Sequence, residues 1–129
     1  MLNRKRVLIA TACGFLLGIP DWYLAVPGVI PFIPVPMDAP LGTWPAALTV
    51  ISIRTVSGFV IGISALRMAW WWHGIVVSLI VGFPLFFVCG WVGLGWTLSF
   101  LGVNGAGIVM GLIIEWVTSV LFKAPAGKP

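Results

Sequence analysis

The chain has 129 residues, of which 60% are hydrophobic and only 8% are charged, and its formal net charge is +4. A water-soluble domain of this length needs far more polar surface than this composition supplies, so a soluble domain is excluded. The Lys and Arg residues do not cluster as on a soluble nucleic-acid-binding face, and we expect no nucleic-acid partner. The composition therefore predicts an integral membrane protein whose first partner is the lipid bilayer.

Four apolar runs each approach the roughly 20 residues that a membrane-spanning helix needs. Long apolar runs favour helices, because the backbone in hydrocarbon must satisfy its own hydrogen bonds. We therefore predict an all-α polytopic fold with one membrane domain, residues 1–129. The last two connections are short, which favours an up-down-up-down four-helix bundle. The predicted helices cover about residues 7–26, 45–66, 70–91 and 97–122.

The distribution of charge predicts the orientation. Cytoplasmic ends of membrane helices carry an excess of Lys and Arg. One predicted side of the bundle carries Asp38 and no Lys or Arg. We therefore predict that both termini are cytoplasmic and that the protein lies in the plasma (inner) membrane of a prokaryote. The basic residues on the opposite side are Arg4, Lys5, Arg6, Arg67, Lys123 and Lys128.

A Pro-rich connection, about residues 27–44, joins the first two predicted helices. Its prolines, which include Pro27, Pro31, Pro34, Pro36 and Pro40, are incompatible with a regular helix. The segment is nevertheless too apolar for a solvated loop. Three placements stay open: an interfacial brace, a re-entrant segment that packs on protein, or a cover over a neighbouring subunit. If the connection has a function of its own, we expect it to act as a lid or as a docking surface.

Small residues recur at four-residue spacing on every predicted helix. Residues four apart share a helix face, and small side chains there let two backbones approach closely. Four such stripes exceed what one loose bundle needs, so we expect some of them to pack against copies of the chain or other membrane subunits. The helix-packing residues are Gly14, Gly18, Gly58, Gly62, Gly74, Ser78, Gly82, Gly107 and Gly111.

Two pairs of ionisable residues fall inside the predicted spans, where charge is costly and suggests a specific partner or a function. At a rise of 1.5 Å per residue, Asp21 and Arg54 lie about 22 Å and 20 Å from the basic ends of their helices. They could form a structural salt bridge or a ligand site, or their side chains could extend to the outer membrane–water interface. By the same measure, His73 and Glu115 lie about 9 Å and 12 Å from that side. They could form an interfacial polar cluster or a proton or cation site, because histidine changes charge near neutral pH.

The sequence shows no catalytic, metal-binding or cofactor-binding motif. His73 is the one histidine in the chain, and Cys13 and Cys89 have no C-x-x-C partner. We expect no metal, no cofactor and no enzymatic activity, although a lipid-modifying membrane enzyme is not excluded. The leading hypothesis is a small non-catalytic membrane subunit that packs through its glycine-rich faces in an oligomer or larger complex. The alternative is a small channel or transporter for an ion, proton or small solute.

Overall fold

The computed structural model describes residues 3–31, 35–64 and 68–123. Within these ranges all regular secondary structure is helical. Four helices are long and apolar enough to cross a membrane, which confirms the prediction of an all-α protein with four such segments. They are α1 (Arg4–Ala25), α2 (Trp44–Ile63), α3 (Trp70–Cys89) and α4 (Trp96–Leu121).

Local signals explain where the first two helices begin and end. The Asn3 side chain caps α1 by accepting a hydrogen bond from the Arg6 backbone N–H. The helix continues through Pro20, which brings Asp21 into its last turns. It ends before Pro27, because the residue that precedes a proline disfavours helical geometry. A proline in the first turn of α2, Pro45, costs no hydrogen bond, because the N–H groups there have no helical partner.

The connection between α1 and α2 is described at residues 27–31 and 35–43. It contains turns and one short 3₁₀ helix, Pro40–Gly42, in agreement with the prolines. The Trp22 indole N–H donates a hydrogen bond to the Leu41 carbonyl at 2.9 Å and so ties the connection to the end of α1. Pro34, Arg67 and Lys128 lie outside the described residues.

The passage from α3 to α4 depends on glycine. The chain leaves α3 through a wide π-helical turn, Gly90–Leu94. The chain reverses direction at Gly93, inside this turn, and at Gly95, just after it. Their φ angles of 92° and 78° would be strained for residues with a side chain.

Helix α4 is not uniformly α-helical. Its α-helical parts, Trp96–Ser99 and Ala106–Trp116, are each followed by a wider π-helical turn. These turns are Phe100–Gly105 and Val117–Leu121. Turns of this kind are rare and occur preferentially at functional sites.

The glycine stripes of α1 and α2 pack against each other. A Cβ atom added to Gly18 would lie 2.8 Å from the Ile51 Cα, and one added to Gly62 would lie 2.7 Å from the Val7 Cα. Gly14 meets Gly58 between these two points. Residue numbers rise along one helix as they fall along the other, so the contacts run antiparallel.

The stripes of α3 and α4 form a second contact of the same kind. Gly74 lies against the Gly111 backbone, and Gly82 lies near Val103 and Asn104. The nine small residues predicted to pack helices therefore all have neighbours within this chain, and the expected packing on other chains stays a prediction.

Substituting Gly58 by alanine tests the first of these contacts. A Cβ atom at this position would overlap the Ala10 carbonyl of α1. We expect Gly58→Ala to lower the free energy of unfolding by about 1 to 3 kcal/mol, as overpacking does in tight cores. The measurement is unfolding in mixed micelles followed by circular dichroism.

Gly105→Ala is the matched control, because a Cβ atom there would have no neighbour within 4 Å outside its own stretch of helix in the described part of the chain. Its stability should stay unchanged or rise by up to about 1 kcal/mol through helix propensity. Equal stability losses in the two variants would contradict the packing described for α1 and α2.

Candidate functional site

An ion pair joins α1 to α2. The Arg54 Nε donates a hydrogen bond to the Asp21 Oδ2 at 2.6 Å, and both residues are buried. Gly14 lets α1 approach α2 at this point, because a Cβ atom at that position would overlap the Arg54 backbone carbonyl. The structure thus brings together the two residues that the sequence placed at one depth.

The Arg54 guanidinium also reaches α4. Its Nη2 lies 3.5 Å from the Val103 carbonyl oxygen, a long hydrogen bond. Its Nη1 lies against Gly107, where a Cβ atom would stand only 3.1 Å away. This Nη1 is buried and has no hydrogen-bond partner among the described residues.

A second set of charges lies towards the other end of the bundle. His73 and Glu115 meet, with the His73 Nδ1 2.9 Å from the Glu115 Oε2. The Arg6 Nη2 donates to both oxygens of the same carboxylate, at 2.8 and 2.7 Å. The Ser119 hydroxyl donates to the Glu115 Oε1 and accepts from the Arg6 Nη1. We call these four residues the Arg6 cluster.

The Arg6 cluster connects all four helices. Arg6 comes from α1, His73 from α3, and Glu115 and Ser119 from α4. The link to α2 is the Ile61 carbonyl, which accepts a hydrogen bond from the Arg6 Nη2 at 3.2 Å. Three of the four side chains are almost fully buried: Arg6 is 2% exposed, and His73 and Glu115 are 0% exposed.

The role of Arg6 corrects the sequence analysis, which counted it among the basic residues at the ends of the spans. It is buried inside the bundle, whereas its neighbours Arg4 and Lys5 are exposed. A signal for this burial exists in the sequence. Arg6, Ala10, Gly14 and Gly18 recur at intervals of four, so Arg6 continues the small-residue face of α1.

An apolar layer lies in the core of the bundle. One residue from each helix forms it: Ala10, Ile61, Val77 and Ile114. All four are nearly or completely buried and pack against one another. Two buried hydroxyls lie near this layer: Ser57 lies between Arg54 and Ile61 along α2, and the Ser78 hydroxyl of α3 lies against Gly111.

A cavity of about 540 Å³ lies beside the Asp21–Arg54 pair. Its wall includes residues of all four helices and of the Pro-rich connection. The polar side chains that line it are Asp21, Arg54 and Ser99. Ser99 is 2% exposed, and its hydroxyl has no hydrogen-bond partner within the described ranges. We refer to this space as the cavity.

The cavity fits no metal centre. Within residues 3–31, 35–64 and 68–123, no three His, Cys, Asp or Glu side chains come together as metal ligands would. The free cysteines Cys13 and Cys89 lie on different helices, and Cys89 contributes to the cavity wall. The polar groups of this wall are the Asp21–Arg54 ion pair and Ser99, which can take part in hydrogen bonds.

The interaction between Arg6 and Glu115 can be measured with a double-mutant cycle. Arg6→Met alone leaves the Glu115 carboxylate buried without its main counter-ion, which should cost about 3 to 5 kcal/mol of stability. The double variant Arg6→Met with Glu115→Leu removes both charges and should recover most of this loss. Unfolding in mixed micelles gives each term of the cycle.

Arg4→Met is the matched control for that cycle, since the Arg4 side chain is exposed two residues away. It should change stability little. An additive cycle, in which the double variant loses the sum of the two single losses, would contradict the contact between Arg6 and Glu115.

Comparisons of the chain with protein-family models, with curated proteins and with solved structures give no match.

Proposed function

We propose that this chain is a small non-catalytic integral membrane protein that binds a small, mostly apolar molecule in the cavity. The observation that carries the proposal is the cavity itself, because a mostly apolar wall borders a space of about 540 Å³ and includes the three polar residues Asp21, Arg54 and Ser99. Small-molecule sites typically have volumes of roughly 300 to 1,000 Å³ and a few polar groups in an apolar lining.

The Pro-rich connection supports this proposal. Three of its apolar side chains, Ile30, Val35 and Leu41, line the cavity. The hydrogen bond from Trp22 to the Leu41 carbonyl holds the segment over the end of α1. The segment therefore acts as a cover for the cavity, which favours the lid among the roles that the sequence left open.

The charged residues support binding better than conduction. A channel needs a continuous polar path through the protein, and the described residues between the two charged levels offer isolated hydroxyls, Ser57 and Ser78, beside the apolar layer. Below this layer, the Arg6 cluster holds the four helices together with its own hydrogen bonds. Transport of a solute would require the helices to separate at both levels.

The proposed topology follows from the exposed charges. Arg4, Lys5 and Lys123 are exposed near one end of the chain's bundle, whereas Asp38 is exposed in the connection at the other. By the positive-inside rule, the first end faces the cytoplasm. The protein would then cross the plasma membrane of a prokaryote as an up-down-up-down bundle with both termini inside, and the cavity would lie in the outer half.

Photolabelling tests the binding function directly. The probe is a dodecane that carries a diazirine on its chain and no polar group, used with the protein in lipid nanodiscs. We expect mass-spectrometric mapping to place most of the label on cavity residues such as Val50, Leu85 and Met110. Ala106→Phe should abolish most of this labelling, because Ala106 lines the cavity and the larger side chain fills it.

Ala12→Phe is the matched control for added bulk, since Ala12 is exposed on α1 outside the cavity lining. It should leave the labelling pattern unchanged. Labelling that is spread evenly over the exposed helix faces, with no loss in Ala106→Phe, would refute the binding function.

A second function, that of a subunit in an oligomer or larger membrane complex, is favoured by the extent of unburied helix surface. In the most apolar window of each span, only 22 to 33% is buried within the chain. The remaining surface is available to lipid or to neighbouring membrane helices. Binding in the cavity and membership of a complex are compatible.

Isolation from the native membrane in a mild detergent, followed by native mass spectrometry, tests the subunit function. A subunit should appear in an assembly well above the 13.9 kDa of the single chain. Recovery of the single chain alone, under conditions that preserve other membrane complexes, would count against this function and leave the binding function unaffected.

A further inference from the structure

The Asp21 carboxylate can accept more hydrogen bonds than the described residues give it. It accepts one, from the Arg54 Nε to its Oδ2 at 2.6 Å. An ionised carboxylate offers about four lone-pair sites. Its second oxygen, Oδ1, has no hydrogen-bond partner in the described part of the chain, and unlike the Arg54 Nη1 it is not enclosed by protein. Because 10% of the Asp21 side chain is exposed, this oxygen can be reached from outside the protein.

The face of α1 that carries Asp21 borders the cavity. Leu24 and Ala25, three and four residues further along α1, line the cavity together with Asp21. Residues at these spacings share one helix face. The accessible Asp21 oxygen is therefore presented to the cavity, whereas the Arg54 Nη1 and the Ser99 hydroxyl are enclosed within the wall. A ligand in the cavity meets an acceptor at this point and needs a donor of its own.

The charge of the cavity wall is balanced without any ligand. Asp21 and Arg54 are the charged side chains that line the cavity, and they neutralise each other. The charges that α1 and α4 carry elsewhere in the bundle, on Arg6 and Glu115, pair with each other, and His73 of α3 contacts the same carboxylate. A cationic ligand would bring an uncompensated charge into a region of low dielectric, which is costly. We therefore expect the donor to be neutral.

The cavity is open towards the bilayer. Leu24, Leu101 and Val109 line it and are at the same time 45%, 61% and 53% exposed. All three belong to helices that are long and apolar enough to span a membrane, so their exposed surface faces hydrocarbon. A molecule dissolved in the bilayer can enter past these side chains. Because most of the wall is aliphatic, the body of that molecule must be hydrocarbon, with its polarity confined to one end near Asp21.

We infer that the cavity takes an uncharged amphipathic molecule from the bilayer, with a hydrocarbon body and a hydroxyl that donates a hydrogen bond to the Asp21 Oδ1. This inference rests on the proposed binding function and names its ligand class. A neutral donor uses the vacant lone pairs of the carboxylate and keeps its ion pair with Arg54 intact. The hydroxyl belongs either to a free single-chain alcohol or to the headgroup of a neutral two-chain lipid.

Competition against the dodecane diazirine probe tests the inference. The protein is placed in lipid nanodiscs, and competitors are compared at equal mole fraction in the membrane. Dodecanol should displace the probe about tenfold better than dodecane, because it adds one hydrogen bond to a charged group. Dodecyl methyl ether keeps the oxygen but has no donor, so it should compete no better than dodecane. Dodecylammonium has donors but an uncompensated charge, so it should compete less well than dodecanol.

A double variant removes the acceptor without leaving a lone charge. Asp21→Leu with Arg54→Met replaces the whole ion pair by apolar side chains, an exchange that buried pairs often tolerate. Its folding is checked by unfolding in mixed micelles. In this variant dodecanol should lose its tenfold advantage, while dodecane still competes. The control is Arg6→Met with Glu115→Leu, which removes the other ion pair and should leave the preference for the alcohol unchanged.

The outcomes separate the inference from the binding function. If the probe labels the cavity but the methyl ether or dodecylammonium competes as well as dodecanol, the ligand class is wrong and the binding function stands. This comparison uses the unaltered chain and does not depend on the folding of any variant. If the probe does not label the cavity, both fail.

A further competitor, dioleoylglycerol, distinguishes the two sources of the hydroxyl once dodecanol has shown its advantage. Competition as strong as that of dodecanol would identify a two-chain lipid, whereas weaker competition would identify a single-chain molecule. Both results support a neutral donor.

Discussion

A charged side chain inside a membrane must find its counter-charge within the protein, because neither water nor lipid can neutralise it there. The buried charges of this chain obey that requirement at two levels, with Arg54 on Asp21 and with Arg6 on Glu115. The Asp21–Arg54 pair joins α1 to α2, whose glycine faces pack closely, and the Arg6–Glu115 pair joins α1 to α4. The glycine contacts therefore hold the helices together in pairs, and the Arg6–Glu115 pair links one helix pair to the other.

The two levels nevertheless differ in how completely they are satisfied. Glu115 receives hydrogen bonds from Arg6, His73 and Ser119, so its carboxylate is surrounded by donors. Arg54 has one short bond to Asp21 and one long contact with a carbonyl of the π-helical turn in α4. The cavity lies beside this less satisfied level. A closed network is suited to holding helices together, whereas an incomplete one next to an open space is suited to receiving a ligand.

Much of the candidate site was accessible from the sequence. The depth of each residue along its helix follows from a constant rise, which is why Asp21 could be placed level with Arg54, and His73 near Glu115. Arg6 was misplaced for a related reason. Its position near the chain terminus is typical of an interfacial arginine, and its burial depends on a carboxylate more than 100 residues away on α4. The four-residue spacing that links Arg6 to Ala10 and Gly14 places Arg6 on the small-residue face of α1.

The sequence by itself determined that the chain suits a membrane, that it has four apolar helices, and that each helix carries a face of small residues. These features depend on local composition and on the periodicity of a single helix. Only the tertiary structure decided that the glycine faces of α1 and α2 pack on each other, that Arg6 joins His73 at one carboxylate, and that a cavity opens beside Arg54. These features depend on which helices are neighbours and on where their backbones diverge. A helix cannot specify that alone, since one small face fits many partners equally well.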